Sequence, residues 1–172
     1  GLIASRLTDL PDSSTYFDRG YVTYSPEAKQ ALLGVPAALL AAHGAVSPEV
    51  ARAMAEGARE RSGATFGLST TGLAGPSGGT PEKPVGLVYI GLAWEGGSLA
   101  REERLVGERT LIKQRAAQMA LETLRRHLLG VGMEERTASR VPGNLRVTCD
   151  GLRIGSSPAG GCAAREPGRH RG

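Results

Sequence analysis

Residues 85–94, VGLVYIGLAW, form the stretch that most limits what this chain can fold into. The run is almost wholly apolar, which is typical of a strand buried on both faces of its sheet. The segment TFGLSTTG (65–72) has the composition of a second strand. LAREERLV (99–106) alternates and follows a short EGGS turn, so it is predicted to pair with the apolar run. The sequence therefore predicts a small sheet with 85–94 as a buried central strand.

Two Ser-Pro-Glu segments mark the beginnings of helices. Ser25 and Ser47 are suitable N-caps, the proline that follows each fits the first helical position, and the glutamate complements the helix dipole. The first of these helices is predicted to end near Gly34 and the second near Gly63. Helices are thus available to cover the sheet.

Three further elements complete the expected fold. We predict a helix over 2–10, a strand over 19–25, and a long helix that ends at Gly130. The apolar stripes expected on the two longer helices are Val50, Met54, Ala58 and Leu121, Leu124, Leu128. Helices on both sides of a small mixed sheet predict an α/β fold, as a three-layer α/β/α sandwich.

Charge and composition exclude several classes of protein. The chain of 172 residues has a formal net charge of +4, but residues 131–172 contain seven arginines and four acidic residues. Residues 1–130 are nearly balanced, and no basic face interleaved with aromatic residues points to nucleic acid. No apolar run approaches the roughly 18 residues of a membrane span. Cys149 and Cys162 have no metal-ligand spacing and no disulfide framework, which favours a cytoplasmic protein.

Residues 131–172 differ from the rest of the chain. They have many Gly and Arg residues, no aromatic residue and no sustained periodicity. We predict a disordered tail outside the domain of residues 1–130. A short added hairpin around NLRVTCDGLRIG is the alternative.

Tyr24 and Lys29 are the first candidates for a catalytic role. Tyr24 ends the strand predicted over 19–25, and Lys29 lies about one turn into the following helix. The positive end of a helix disfavours an ammonium, so the pKa of Lys29 is expected to fall towards that of a general base. The alternative is a tyrosine at a sheet edge and a lysine on a solvated helix face.

A glycine-rich loop follows the predicted strand 65–72. Thr71 and Gly72 end that strand, and Gly75, Gly78 and Gly79 precede the buried strand. Ligands of α/β folds bind beyond strand ends, where glycines let backbone N–H groups approach a phosphate or an oxyanion. The loop has neither a dinucleotide fingerprint nor a P-loop, and a plain flexible connection is the alternative.

Arg109 is a candidate anion ligand, because it begins the long helix and its guanidinium can act together with the helix dipole. A surface arginine paired with Glu108 is the alternative. His43 is predicted to lie in a loop or at a helix end, with ligand contact as the lesser alternative.

Four segments occur together and in order: TYFDRGYVTYSPEAKQALLGVP, AAHGAVSPEVARAMAEGAR, TTGLAGPSGGTPEKPVGLVYIGLA and GERTLIKQRAAQMAL. Through them, residues 1 to about 130 resemble the CinA C-terminal domain family, and specifically its nicotinamide-nucleotide amidohydrolases. The pattern from Gly72 to Gly86 is the most diagnostic part.

The resemblance implies an activity and a site. The activity is hydrolysis of the carboxamide of nicotinamide mononucleotide to nicotinic acid mononucleotide and ammonia, a step of NAD salvage in the pyridine nucleotide cycle of bacteria. It implies catalytic roles for Lys29, which would activate a serine, and Tyr24, which would position the reacting groups. Thr71, Gly72, Gly75 and Arg109 would bind substrate. No metal and no cofactor is implied, and a homodimer is the expected oligomer.

The chain departs from the family pattern at both ends. The family's nucleophilic serine lies in a Ser-Cys-Thr-Gly-Gly segment whose last glycine aligns with Gly1, so the serine and the strand before it fall upstream of Gly1. Neither Ser5 nor Ser13 matches that serine. The tail has no counterpart in the family, and a gene fragment with a frameshifted 3′ end is our hypothesis. We expect this chain to be impaired as an enzyme, and a non-catalytic binding module associated with competence or DNA damage is the alternative.

Overall fold

The computed structural model of the chain describes residues 1–131. Within this range the chain forms five α-helices, three β-strands and one short 3₁₀ helix. The helices are α1 (Leu2–Thr8), α2 (Pro26–Leu33), α3 (Ala37–His43), α4 (Pro48–Ser62) and α5 (Arg109–Leu128), the 3₁₀ helix is Ser13–Thr15, and the strands are β1 (Gly67–Gly72), β2 (Leu87–Trp94) and β3 (Gly97–Arg104). The predicted tail and its alternative hairpin lie outside the described residues, except for Val131 itself.

The three strands form one sheet in the order β1-β2-β3. The apolar run is its central strand, as predicted, and it pairs antiparallel with both neighbours. Trp94 pairs with Gly97 across a two-residue turn, in which Gly96 has a φ of 87°. A sheet of mixed strand direction was expected; the strands that the structure describes are antiparallel throughout, because both connections of β2 reverse the chain direction.

Helix α4 covers one face of the sheet. The Ser69 hydroxyl of β1 donates a hydrogen bond of 2.6 Å to the Ala51 carbonyl oxygen of α4. Gly91 of β2 faces the same carbonyl, and a Cβ there would lie only 2.1 Å from the oxygen. Helix and sheet therefore approach closely on this face because Gly91 has no side chain. The stripe predicted from Val50, Met54 and Ala58 packs away from the sheet, in a cluster with Leu33 and Val35.

Helix α5 covers the opposite face of the sheet. Val88 and Ile90 of β2 pack against Ile112 and Ala120 of α5, and Ile3 of α1 joins the same cluster. The two covered faces confirm the α/β class and the three-layer α/β/α arrangement.

Two further sequence predictions fail, one wholly and one in part. Residues 19–25 form no strand: Val22 is 69% exposed, and the segment is irregular. Of the stripe predicted on α5, Leu121 and Leu124 are half-buried and Leu128 is exposed; the fully buried residues of this helix are Ile112, Ala117, Ala120 and Thr123. Apart from Ile112 these buried side chains are small, which allows the helix to pack closely against the sheet. Helix α3 was not predicted, and it has no side-chain cap.

Candidate functional site

Lys29 is buried at the N-terminal end of α2. Its side chain is only 6% exposed, and Nζ donates a hydrogen bond of 2.6 Å to the Thr23 carbonyl oxygen. The helix begins as predicted, with Ser25 Oγ accepting from the Ala28 N–H at 3.1 Å. Burial lowers the pKa of the Lys29 amine. The expected direction is therefore correct, but the cause is burial rather than the helix dipole, and the alternative of a solvated lysine is wrong.

Tyr24 and Arg109 lie together at the surface. Tyr24 is 85% exposed, and because 19–25 is not a strand, Tyr24 does not end one. Its Oη accepts a hydrogen bond of 3.4 Å from Nη2 of Arg109. Arg109 is the first residue of α5, as predicted, and its Nη1 donates to the Gly75 carbonyl oxygen at 2.7 Å. The guanidinium thus links the segment before α2 to the glycine-rich loop, and it contacts these groups rather than Glu108.

The glycine-rich loop has one buried point and one exposed stretch. Gly72 ends β1 opposite Val88, and Gly75 is buried with a φ of 70°. A Cβ on Gly75 would lie 2.5 Å from a methyl carbon of Val85, so both the backbone and the packing require glycine there. Residues 76–82 are exposed. The group that Gly75 presents to Arg109 is its carbonyl oxygen, not its N–H.

Thr71 is buried at the end of β1. Its Oγ1 donates a hydrogen bond of 2.6 Å to the Ala45 carbonyl oxygen, in the turn between α3 and α4. Because the hydroxyl proton is used in this contact, the hydroxyl oxygen retains only its acceptor capacity.

Lys83 makes two hydrogen bonds that the sequence pattern does not predict. Its Nζ donates to the carbonyl oxygens of His43 at 2.7 Å and Val46 at 2.8 Å. The available signal was that Lys83 is the only basic residue between Thr71 and Gly86. His43 itself ends α3, consistent with its prediction as a residue of a loop or helix end, and its Nδ1 lies 3.6 Å from a carboxylate oxygen of Glu49.

The predicted site residues thus form two groups. Arg109 contacts both Tyr24 and Gly75, whereas Lys29 and Thr71 are buried and donate hydrogen bonds to the backbone carbonyls of Thr23 and Ala45. Residues 1–131 contain no cluster of three or more His, Cys, Asp or Glu side chains suited to a metal ion. None of the helices in that same range has both the length and the apolar content needed to cross a membrane.

Comparison with known proteins places this domain among relatives of known sequence and structure. The chain is 54% identical over 139 residues to a putative competence-damage inducible protein of Symbiobacterium thermophilum, and 55% identical over 129 residues to a CinA-like protein of Geobacter sulfurreducens. These alignments cover 76% and 75% of this chain but 33% and 31% of the relatives, so the chain spans about a third of the length of the curated relatives it matches.

Solved structures agree with the sequence matches. The competence/damage inducible protein CihA from Agrobacterium tumefaciens superposes with a TM-score of 0.71 at 46% identity, over 73% of this chain and 77% of that one. The competence damage-inducible protein A of Klebsiella pneumoniae gives 0.71 at 31% identity, over 74% and 79%. The family model that describes the CinA C-terminal domain matches residues 1–128. The chain therefore belongs to the CinA C-terminal domain family.

Proposed function

We propose that this domain is a nicotinamide-nucleotide amidohydrolase, which converts nicotinamide mononucleotide and water to nicotinic acid mononucleotide and ammonia. The single observation that carries the proposal is the buried Lys29, whose amine has a lowered pKa and a carbonyl oxygen as hydrogen-bond acceptor. A desolvated lysine amine is the base that activates a serine hydroxyl in serine–lysine hydrolases.

In the proposed reaction, Lys29 moves protons. The neutral amine takes the proton of a serine hydroxyl as the serine oxygen bonds to the carboxamide carbon, and the carbonyl oxygen becomes an oxyanion. The resulting ammonium then returns the proton to the leaving nitrogen, so ammonia departs and an ester remains on the serine. Water, deprotonated by the same amine, breaks this ester and regenerates the serine hydroxyl.

Tyr24 and Arg109 are assigned to the opposite end of the substrate. Arg109 uses one N–H on Gly75 and one on Tyr24, and a guanidinium has five N–H donors in all. The remaining donors suit the phosphate of the nucleotide, and the exposed Tyr24 ring offers a surface beside it. Thr71, as an acceptor only, suits the NH₂ group of the carboxamide.

The serine is assigned to the Ser-Cys-Thr-Gly-Gly segment that the family resemblance places before Gly1. The 172-residue sequence does not contain that segment. We therefore propose that residues 1–130 supply Lys29 and part of the substrate-binding surface, and that the serine segment completes the site. The reaction requires no metal and no cofactor, and it belongs to NAD salvage in the cytoplasm; a homodimer is the proposed assembly.

A non-catalytic module associated with competence or DNA damage is the second candidate. The names of the relatives, competence-damage inducible protein among them, favour it. Residues 1–130 carry almost balanced charge, so such a module would bind a partner protein rather than DNA.

The test of the proposal is a pair of matched substitutions in a chain extended upstream through the serine segment. Lys29→Met removes the buried amine at nearly constant length, and Lys113→Met removes an exposed amine on α5. We expect Lys29→Met to lower the rate of ammonia release from nicotinamide mononucleotide by about 10²- to 10⁴-fold, the usual contribution of a general base. Equal activity of the Lys29→Met and Lys113→Met variants would remove the basis of the proposal and favour the binding module.

A further inference from the structure

The turn between α3 and α4, residues 43–46, is held by side chains at every one of its carbonyl groups. Lys83 Nζ binds the carbonyl oxygens of His43 and Val46. The hydroxyl of Thr71 donates to Ala45. The hydroxyl of Ser47, the N-cap of α4, donates to Gly44 at 3.2 Å. One turn is thus connected to β1, to α4 and to the glycine-rich loop.

Lys83 itself ends a second, smaller turn, which begins at Thr80. The Thr80 N–H donates to the Lys83 carbonyl oxygen at 2.9 Å, and the Lys83 N–H donates to Thr80 Oγ1 at 3.0 Å. Pro81 lies between them and restricts the backbone further. The backbone of Lys83 is therefore fixed by this turn, which limits the directions available to its side chain.

The glycine-rich loop has two side-chain attachments to the rest of the domain. At Gly75 the carbonyl oxygen accepts from Arg109 of α5. At Lys83 the ammonium binds the turn before α4. The residues between these points, 76–82, are exposed and include two glycines and two prolines. Backbone hydrogen bonds of Leu73 with Gly86 and Leu87 close the base of the loop. The exposed stretch gains little from burial, so the two side-chain attachments are what hold it against other elements.

We propose that Lys83 is a positioning residue, which holds the glycine-rich loop in its substrate-binding conformation by tying it to the turn at residues 43–46. The inference rests on the proposed function and adds to it a residue that does not touch the reacting atoms. The same turn holds Thr71, so Lys83 and Thr71 act on one piece of backbone. Loss of Lys83 would lower the fraction of molecules that are competent to bind, which raises the apparent dissociation constant by the same factor.

Hydrogen exchange of the 172-residue chain tests the attachment directly. We expect Lys83→Met to accelerate amide exchange in residues 72–86 and 43–47, while β2 and the C-terminal half of α4 keep their protection. Lys83→Arg should restore protection, because a guanidinium can also donate to two carbonyls. Lys113→Met, which removes an exposed amine, should behave as the unsubstituted chain. Unchanged exchange in Lys83→Met, or equal acceleration in every element, would overturn the inference.

Kinetics of the chain extended through the serine segment test the consequence. Lys83→Met should raise KM for nicotinamide mononucleotide about tenfold, if the competent fraction falls to a tenth, with kcat within about twofold. Lys83→Arg should return KM towards its original value. A loss of kcat at unchanged KM would contradict a positioning role. Should the unsubstituted extended chain release no ammonia, the proposed function fails, and the exchange experiment alone decides whether Lys83 holds the loop.

Discussion

Lys29 differs from the two other lysines of the chain in the environment of its amine. Lys113 is exposed on α5, and Lys83 binds two carbonyl groups at the surface of the domain. Lys29 is buried with a single carbonyl acceptor, and burial is the cause of its lowered pKa. A buried ammonium costs free energy that the neutral amine does not, so this residue opposes folding when it is protonated.

The first prediction concerns the pH dependence of stability. The folded pKa of Lys29 lies below the ordinary value of 10.5, so the unfolded chain binds more protons between the two values. The contribution of Lys29 to the free energy of unfolding must therefore rise with pH in that window, and it is complete above pH 10.5. Urea unfolding at several pH values should show the unsubstituted chain gaining stability relative to Lys29→Met as pH rises. The difference in the free energy of unfolding between the unsubstituted chain and Lys113→Met should not change with pH. If the difference from Lys29→Met is also independent of pH, the burial argument is contradicted.

The second prediction concerns the phosphate end of the proposed substrate. In the extended chain, Arg109→Ala should raise KM for nicotinamide mononucleotide by about 10- to 100-fold, the value of a lost charge-assisted contact. Nicotinamide riboside, which has no phosphate, should show little change in KM. Arg115→Ala is the matched control, since Arg115 is an exposed arginine of the same helix that donates to a backbone carbonyl. An equal rise for both substrates would assign Arg109 to holding Gly75 rather than to the phosphate.

Motif spacing predicts the helix or strand on which each candidate site residue lies, but it does not predict the burial or the contacts of the side chain. Lys29 lies about one turn into a helix and Arg109 at the start of another, both as predicted. Burial of Lys29 depends on packing that only the folded chain brings about. The contact of Arg109 with Tyr24 joins residues 85 positions apart, and that of Lys83 with His43 joins residues 40 apart. Local sequence carries no signal for such pairs.

The elements best predicted were those with local signals. Both Ser-Pro-Glu helices begin at their expected N-caps, and both end at a glycine with positive φ, Gly34 and Gly63. The strand expected over 19–25 failed because β-branched residues favour a strand only when a neighbour is available to pair and pack. The stripe expected on α5 is only partly buried, because leucine marks apolar character, whereas small side chains such as Ala117 and Ala120 allow close approach to the sheet.

The third prediction compares the two N-caps. Ser25→Ala should lower the free energy of unfolding by about 1 kcal/mol, because Ala28 loses its cap acceptor. Ser47→Ala should cost roughly 1 kcal/mol more, since Ser47 is buried and also donates to the Gly44 carbonyl. Chemical unfolding of both variants measures the difference. Equal losses would show that the bond from Ser47 to Gly44 adds nothing to the cap.

At the scale of the whole domain, the sheet lies between the two helical layers, and residues of the candidate site lie on all three layers. Thr71 lies on strand β1. Lys29 lies on α2, on the same side of the sheet as α4, and Arg109 lies on α5, on the opposite side. The loop between β1 and β2 connects these layers through Gly75 and Lys83. The central strand and the layers could be predicted, because a doubly buried strand requires cover on both faces.

The most direct test of the proposed function is ammonia release from nicotinamide mononucleotide, measured on the 172-residue chain and on a chain extended upstream through the Ser-Cys-Thr-Gly-Gly segment. We predict release by the extended chain and a rate lower by about 10⁴-fold or more in the 172-residue chain, as expected for loss of a serine nucleophile. Two folded proteins that both fail to release ammonia, or that release it at equal rates, would contradict the account.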